Sequence, residues 1–388
     1  MLTAAQQELR DATREFTERE VVPIAAVMDR EDGQIPAELL EKMARIGYFG
    51  VNISEEYSGL GLDTVSLCVI TEELCRGSLS VGSVIHRNAT CGKILELAGT
   101  ETQRQRWLAD IATGRIQTAS AGTEPQAGSD AGNIQTRARR NGDNYVITGA
   151  KQWCTFANRA DALFTYARTS DASKHGGISL FVVEKKPGDD FAPPELTGTR
   201  IPTVGYHGMY SYSLHFDGLE VSADNLVGGV EGQGFRQLMG GYEVARTTFA
   251  ARCVGVAQAA YEAALRYATD RVQFGKPIKE FQAVRFRLAD MATQIRAARA
   301  LTLDAARMVD GAHRADVQAG MAKLFASEMA QQVCWSALYI HGGNGYAVDS
   351  DVNRYWRDAA LLPIGEGTSD IQREVIARGI VDRRVEWS

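Results

Sequence analysis

The hydrophobic pattern changes twice along this chain of 388 residues, and these changes limit its possible folds more than any other feature. Helical spacing of apolar residues extends from the N-terminus to about residue 115. Short alternating strings follow, such as those at 144–148 and 178–183, and they indicate β-strands. Beyond Gly228 and Gly229 the helical spacing returns in alanine-rich segments. The order α, then β, then α predicts an α+β protein.

We expect three domains, because each change of pattern coincides with glycine-rich or proline-rich sequence. They are a helical domain at 1–116, a β-domain at 117–228 and a helical bundle at 229–388. Glycine turns between the strings predict a small antiparallel barrel or sandwich in the middle domain. The last helix should start near Ser369, where Ser369 and Gln372 fit a capping box.

Composition excludes several classes of protein. With 42 Lys+Arg against 48 Asp+Glu the net charge is −6, without the basic excess typical of nucleic-acid binders. The longest uncharged run, 329–348, is interrupted by polar side chains, which predicts no transmembrane helix. The N-terminal residues lack the apolar core of a secretory signal, so we expect a cytoplasmic protein. The cysteines and histidines show no metal-ligand spacing, which favours reduced thiols and no metal site.

Two segments of the β region are suited to a flat aromatic ligand. The loop 123–130 offers hydroxyls and backbone amides that could bind a polar ring or a phosphate. In the segment 151–155, Trp153 could stack on the ring while Thr155 binds its edge. The residues alone also allow a plain connecting loop and a core tryptophan.

Two segments of the last helical region are suited to the pyrophosphate and the adenine of a dinucleotide whose flat ring the β region would bind. Arg271, Phe274 and Gln282 supply a cation, an aromatic ring and an amide, which suit a pyrophosphate and an adenine. The segment 341–346 is rich in glycine and offers backbone amides. An exposed helix end with a C-cap glycine and a simple helix-to-helix turn are the alternatives.

Glu366 is the sharpest local feature of the sequence, because it lies between Gly365 and Gly367 just before a helix. Flanking glycines allow a carboxylate to approach a substrate closely. Alternatively, the carboxylate only complements the positive N-terminus of the helix, which is worth about 0.3–1 kcal/mol.

Taken together and in order, these motifs resemble the acyl-CoA dehydrogenase flavoprotein family over nearly the whole chain. They are TEPQAGSD at 123–130, KQWCT at 151–155, RVQFG at 271–275 with FQ at 281–282, HGGNGY at 341–346 and GEGTSDIQ at 365–372. The resemblance implies an N-terminal helical domain, a middle β-barrel-like domain and a C-terminal four-helix bundle, usually assembled as a homotetramer.

The resemblance also implies an activity: FAD-dependent α,β-dehydrogenation of a short or α-branched acyl-CoA, with electron transfer flavoprotein as the acceptor. An acyl-CoA oxidase, a flavin monooxygenase or an acyl-carrier-protein-linked dehydrogenase on the same fold stays open, and so does a non-catalytic acyl-CoA binder.

The resemblance assigns roles to individual residues. Glu366 matches the catalytic base, whereas the base position of some relatives is Ala245 here. The matched FAD contacts are Thr123, Gly128, Ser129, Trp153, Thr155, Arg271, Phe274, Gln282, Gly342, Gly343 and Thr368, several of them reaching from a neighbouring subunit. The matched substrate contacts are Ser129, Glu243, Arg246 and Gly367. Because the α-proton is very weakly acidic, burial should raise the pKa of Glu366 toward the operating pH.

A closer resemblance concerns the substrate. The segments 205–209 and 228–235 are similar to the methylsuccinyl-CoA dehydrogenase branch of the family, whose substrates carry a distal carboxylate. A cation in the acyl pocket would bind that group, and the candidate is Arg87 with its neighbour His86. The alternative for Arg87 is a surface or interface charge.

Overall fold

The structure, a computed structural model, describes residues 2–172, 175–311 and 313–382. Within these ranges six α-helices precede the β region: α1 Ala4–Phe16, α2 Val22–Arg30, α3 Ala37–Ile46, α4 Thr64–Gly77, α5 Leu79–Ala98 and α6 Glu101–Ala112. Six follow it: α7 Gly234–Asp270, α8 Gln282–Asp310, α9 Asp316–His341, α10 Gly343–Tyr346, α11 Asp351–Ala359 and α12 Ser369–Val381. The predicted α, β, α order is confirmed.

In its described residues the β region forms one curled sheet of seven strands. They are β1 Thr118–Ala121, β2 Arg137–Asn141, β3 Asn144–Thr155, β4 Ala162–Arg168, β5 Ile178–Glu184, β6 Leu196–Ile201 and β7 Ser211–Ser222. The strand order is β1-β4-β2-β3-β7-β6, with β5 also paired to β4. Most pairs are antiparallel, as expected, but β1 and β2 both pair with β4 in parallel. The hydrophobic pattern alone cannot distinguish parallel from antiparallel pairing, because the direction of pairing depends on how the connections cross the sheet.

A short hairpin connects α7 to α8. Its strands are β8 Val272–Gln273 and β9 Lys276–Pro277. α7 ends at Asp270 and the hairpin projects beyond it, so the alternative of an exposed helix end capped by glycine is wrong.

The start of α12 differs from the expectation by one residue. Thr368 is the N-cap, and its hydroxyl accepts the Ile371 N–H at 3.3 Å. The amide of Gln372 donates instead to the carbonyls of Glu366 and Gly367. The predicted capping box at Ser369 is therefore wrong, because the side chain of Gln372 is needed in the preceding turn.

The largest apolar core joins the two helical regions, where α4 and α5 pack against α7. A second core fills the curled sheet, and a third lies between α5, α6 and the strands β4 and β5. All six cysteines are buried free thiols. Within the described ranges, no helix has both the length and the apolar composition needed to cross a bilayer. α5 therefore lies between the sheet and the bundle, where a site can draw on both.

Candidate active site

Glu366 lies in the turn that leads into α12. Its backbone φ is 53°, in the left-handed region that non-glycine residues rarely adopt and that is concentrated at functional sites. Gly367 follows at φ 87°, where an added Cβ would lie 2.7 Å from Gln372 Nε2. Two donors hold the Gly367 carbonyl, namely Lys323 Nζ at 2.8 Å and Gln372 Nε2 at 3.0 Å. Buried side chains of α9 and α12 thus fix the orientation of the glutamate.

The Glu366 carboxylate is held by side chains from both helical regions. Oε1 lies 2.7 Å from Nε2 of His86, which is buried on α5. The same oxygen lies 3.6 Å from Nη1 of Arg252, which is buried on α7. The other oxygen, Oε2, is buried and has no hydrogen-bond partner within the described residues. One carboxylate oxygen is therefore restrained and the other is available.

Neighbouring side chains decide the ionisation of Glu366. Burial raises the pKa of its carboxyl group, but His86, Arg252 and Arg87 more than offset that effect and bring the pKa to about 2. The expectation that burial would raise this pKa is therefore wrong for the structure described. Glu366 is a carboxylate at neutral pH.

A further layer of polar side chains supports His86 and Arg252. His86 Nδ1 lies 2.7 Å from Thr248 Oγ1, and Arg252 Nη2 donates to the Tyr206 hydroxyl at 3.0 Å. Sequence reasoning missed Thr248, Arg252 and Lys323. A signal existed for the two cations, because each is a single charge within a run of small or apolar residues on a helix that is otherwise buried.

The predicted acyl-pocket cation, Arg87, is half-buried on α5 next to His86. Its charge acts to lower the pKa values of both Glu366 and Cys154, so it is within electrostatic range of the base and of the end of β3. Arg87 forms no ion pair within the described part of the chain, and its Nε is buried without a hydrogen-bond partner. These observations favour a pocket cation over a surface charge.

The other two predicted substrate contacts lie along α7. Arg246 is buried, and its guanidinium lies 4.9 Å from the centre of the Tyr242 ring. Glu243 lies near the start of α9, where burial raises its pKa and the Ala315 N–H opposes that shift. Ala245, at the alternative base position, is also buried. The charge of Arg246 interacts with the carboxylates of both Glu366 and Glu243.

The loop after β1 carries Thr123, Gly128 and Ser129. A buried ion pair anchors this loop to β3, because Lys151 Nζ lies 2.8 Å from Glu124 Oε1. Gly128 faces open space, since a Cβ added there would meet no atom within 4 Å. The loop is therefore rigidly attached and its surface is accessible to a ligand.

Trp153 and Thr155 end β3 beside that loop. An irregularity in the pairing of β3 with β7 falls between Lys151 and Cys154, and Trp153 there adopts a φ of 59°. The indole is 52% exposed, so the alternative of a core tryptophan is wrong. Thr155 Oγ1 lies 2.8 Å from Ser211 Oγ. An exposed indole beside a hydroxyl and an amide-rich loop fits a flavin ring.

Five other predicted flavin contacts gather at one end of the bundle, whereas Thr368 caps α12 beside Glu366. Phe274 is at the tip of the β8–β9 hairpin and is 94% exposed, with Arg271 at its base and Gln282 at the start of α8. Gly342 and Gly343 follow α9, and neither would bring an added Cβ within 4 Å of another atom. The Tyr267 and His341 rings stack at 4.2 Å and bring the ends of α7 and α9 together. The exposed cation, ring and glycine backbone fit an extended nucleotide.

Models of one family match nearly the whole chain. The N-terminal, middle and C-terminal domains of acyl-CoA dehydrogenase match residues 3–115, 119–219 and 232–381. The chain is 43% identical to (2S)-methylsuccinyl-CoA dehydrogenase of Cereibacter sphaeroides over 378 residues, which cover 96% of this chain and 69% of that protein.

Two solved structures agree with the family match. The first is described as the electron transferring flavoprotein of Acidaminococcus fermentans (TM-score 0.94, 36% identity, 98% of this chain and 99% of that chain). The second is a glutaryl-coenzyme A dehydrogenase in complex with glutaryl-CoA (TM-score 0.93, 31% identity, 98% of this chain and 96% of that chain). The fold, the positions of the motifs and these matches agree: the chain belongs to the acyl-CoA dehydrogenase family of flavoproteins and is an oxidoreductase that acts on acyl-CoA.

Proposed function

We propose that this chain catalyses the FAD-dependent α,β-dehydrogenation of a short or α-branched acyl-CoA whose acyl group ends in a carboxylate, as in methylsuccinyl-CoA. The observation that carries the proposal is the pair of arginines, Arg87 and Arg252, whose charges act on Glu366. His86, Arg87 and Arg252 all act on this one carboxylate. A cation removed from water needs an anionic partner, and the distal carboxylate of the substrate would supply one to Arg87.

The relatives support this class of substrate. The relative at 43% identity acts, by its name, on a thioester of a branched dicarboxylic acid, and one structural neighbour binds glutaryl-CoA. Arg87 offers a guanidinium fork that matches the geometry of a carboxylate.

The residues of the β-domain and of the bundle end fit FAD. Bound there, FAD would supply the acceptor for the hydride that leaves the β-carbon. Trp153, Thr155 and the loop 123–129 would hold the flavin ring, and Arg271, Phe274, Gln282 and the backbone at Gly342 and Gly343 would hold the pyrophosphate and adenine. A relative from Acetobacterium woodii, 38% identical over 371 residues, is by its name a subunit of a caffeyl-CoA reductase–Etf complex, which supports an electron transfer flavoprotein as the electron acceptor.

The reacting end of the acyl-CoA would be handled by the turn at Glu366. The carboxylate takes the α-proton, and the Glu366 backbone N–H donates to the thioester carbonyl as negative charge develops on it. Arg87 orients the far end of the acyl group, and the acyl chain excludes water from the carboxylate.

The test is an anaerobic titration of the purified holoenzyme with butyryl-, isobutyryl-, glutaryl- and methylsuccinyl-CoA, in which flavin absorbance is followed. We expect bleaching by methylsuccinyl-CoA, loss of that response in Arg87→Ala and no change in the control Arg45→Ala, which alters an exposed arginine of α3. If the monocarboxylic thioesters bleach the flavin equally well in wild type and Arg87→Ala, the carboxylate-binding pocket is wrong. If no acyl-CoA bleaches it, the proposed reaction is wrong.

A further inference from the structure

Arg252 is a buried cation without a closely bound anion. Its side chain is 3% exposed, and its Cζ lies 4.5 Å from the centre of the Phe249 ring. Nη2 donates to the uncharged Tyr206 hydroxyl at 3.0 Å, and Nε is buried without a hydrogen-bond partner in the described residues. Among those residues the only carboxylate within ion-pair distance is that of Glu366, and the 3.6 Å from Nη1 to Oε1 exceeds hydrogen-bond length. Because a carboxylate binds a guanidinium at about 2.7–2.9 Å, Arg252 can still bind one more closely.

His86 supplies a second donor to the same oxygen. Its Nε2 lies 2.7 Å from Glu366 Oε1, and since a carboxylate only accepts hydrogen bonds, Nε2 carries a hydrogen in a neutral ring as well as in a charged one. The ring is buried, with Nδ1 2.7 Å from Thr248 Oγ1 and the Phe249 ring edge-on at 6.5 Å between centres. Packing therefore fixes His86 Nε2 and Arg252 Nη1, the donor pair, around one oxygen position.

Glu366 is the least enclosed member of this group. Its side chain is 28% exposed, against 3% for each of the two donor side chains. Oε1 alone contacts the donor pair, and Oε2 has no hydrogen-bond partner in the part of the chain that the structure describes. The carboxylate can leave by rotation about its own side-chain bonds while Lys323 and Gln372 still hold the turn. The donor pair thus fits a carboxylate oxygen, and its geometry does not require that oxygen to come from Glu366.

We propose that the donor pair binds one oxygen of the distal carboxylate of the substrate, and that Glu366 occupies this position in the free enzyme and leaves it when such a substrate binds. The exchange replaces one carboxylate by another, so Arg252 is not left buried and unpaired. Arg87, whose charge acts on both His86 and Glu366, contributes to the same anion site. A monocarboxylic acyl group brings no replacement acceptor, so Glu366 stays at the donor pair. The inference rests on the proposed function, which supplies a substrate with a distal carboxylate.

The short distances at the site limit the length of that substrate. After the exchange, Glu366 must take a proton from the α-carbon while the distal carboxylate lies where Oε1 was. In a succinyl backbone the α-carbon and the distal carboxyl carbon are two bonds apart, about 2.5 Å, so rotation of the Glu366 side chain is sufficient. Each additional methylene moves the α-carbon farther from the donor pair. A succinyl-length backbone therefore fits the exchange better than a glutaryl one.

Crystal structures of the wild-type holoenzyme with two unreactive ligands test the exchange. S-(3-carboxypropyl)-CoA has the length of a succinyl thioester but lacks the thioester carbonyl, and S-butyl-CoA is its match without the carboxylate. With the carboxylated ligand, a ligand oxygen should lie within hydrogen-bond distance of His86 Nε2, and Glu366 Oε1 should have left that position. With S-butyl-CoA, Oε1 should stay beside Nε2. A Glu366 carboxylate that remains bound to His86 in the first complex would overturn the proposal.

Isothermal titration calorimetry measures the competition between the two carboxylates. Glu366→Ala removes the competing group, so S-(3-carboxypropyl)-CoA should bind at least about tenfold more tightly, as expected for a hydrogen bond to a charged group, whereas S-butyl-CoA should not. Arg252→Met should weaken binding of the carboxylated ligand by about 30-fold or more and affect S-butyl-CoA far less. The control Glu374→Ala, at an exposed position of α12, should change neither affinity. Unchanged or weaker binding of the carboxylated ligand to Glu366→Ala contradicts the exchange.

Neither ligand can reduce the flavin, so these results do not depend on turnover. If no acyl-CoA bleaches the flavin in the anaerobic titration, the proposed function fails, while the two complexes still show whether carboxylates exchange at the donor pair. The crystal structures use the wild-type chain and therefore also decide the matter if Arg252→Met does not fold.

Discussion

At the scale of single residues, Glu366 is subject to two opposed effects. Burial favours the neutral acid, whereas His86, Arg252 and Arg87 favour the carboxylate and prevail, with a pKa of about 2. So low a pKa keeps the base ionised but makes it weak. We expect a distal carboxylate on the substrate to neutralise Arg87 and so raise the pKa of Glu366. The right substrate would therefore strengthen its own base.

Replacement of Glu366 tests its role as the base. Glu366→Gln keeps the size of the side chain but cannot take a proton, so the rate of flavin reduction should fall by at least about 10²–10⁴-fold while acyl-CoA still binds. Stopped-flow absorbance measures the rate, and the spectral change of the flavin on mixing measures binding. Glu374→Gln, which alters an exposed glutamate of α12, is the control. A Glu366→Gln enzyme that reduces its flavin at the wild-type rate would show that the base lies elsewhere.

At the scale of elements, an ion cluster fixes the segment that supports Arg252. Asp29 of α2 pairs with Arg357 of α11, and its Oδ1 lies 3.0 Å from Nδ1 of His207. In the same segment the Tyr206 N–H donates to Asp358 Oδ1 at 2.6 Å, and the Tyr206 hydroxyl accepts from Arg252. The cluster thus connects α2 and α11 to the active site.

This cluster gives the stability a defined pH dependence. The hydrogen bond to Asp29 raises the pKa of His207 to about 9, above its ordinary value of 6.5. The protonated form is favoured on folding, so its stabilisation is complete below about pH 6.5 and is lost as the pH rises through about 9. Thermal unfolding from about pH 6 to pH 10 should lower the melting temperature of wild type more than that of His207→Gln. In the control His215→Gln, which alters an exposed histidine, the melting temperature should fall with pH as much as it does in wild type. Equal falls in wild type and in His207→Gln would contradict the prediction.

At the scale of the whole molecule, one face of the bundle is unusually apolar. Phe286 of α8 is 60% exposed, and Trp335 and Tyr339 of α9 are 48% and 60% exposed. The Arg287 guanidinium lies over the Tyr339 ring at 4.3 Å. Aromatic rings with arginine are the composition typical of an interface core, and we expect a second copy of this chain to cover the face within a homotetramer.

Sedimentation velocity tests this assembly. Wild type should sediment as a tetramer, and Phe286→Glu should shift the distribution to smaller species because it places a charge at a buried contact. Leu97→Glu, at an exposed position of α5, should leave the tetramer intact. A monomeric wild type, or a tetrameric Phe286→Glu, would contradict the assignment of this face.

The sequence by itself determined the α, β, α order, the strands at 144–148 and 178–183, the family and the turn that carries Glu366. These features are local, because they depend on residues that are close together in the sequence. They include the hydrophobic period, the glycine spacing and the residues of each motif. Three features were not predictable in this way, because each depends on what packs against the segment. They are the exposure of Trp153, the N-cap at Thr368 and the parallel pairing with β4.

Only the tertiary structure decided the ionisation of the base. His86 and Glu366 are 280 residues apart in sequence, and Thr248 and Arg252 come from a third segment. The glycines beside Glu366 indicate that its carboxylate can approach a substrate closely, but they do not indicate which charges surround it. A pKa is set by charges within a few ångströms, and the packing of α5 and α7 against the turn before α12 brings those charges together.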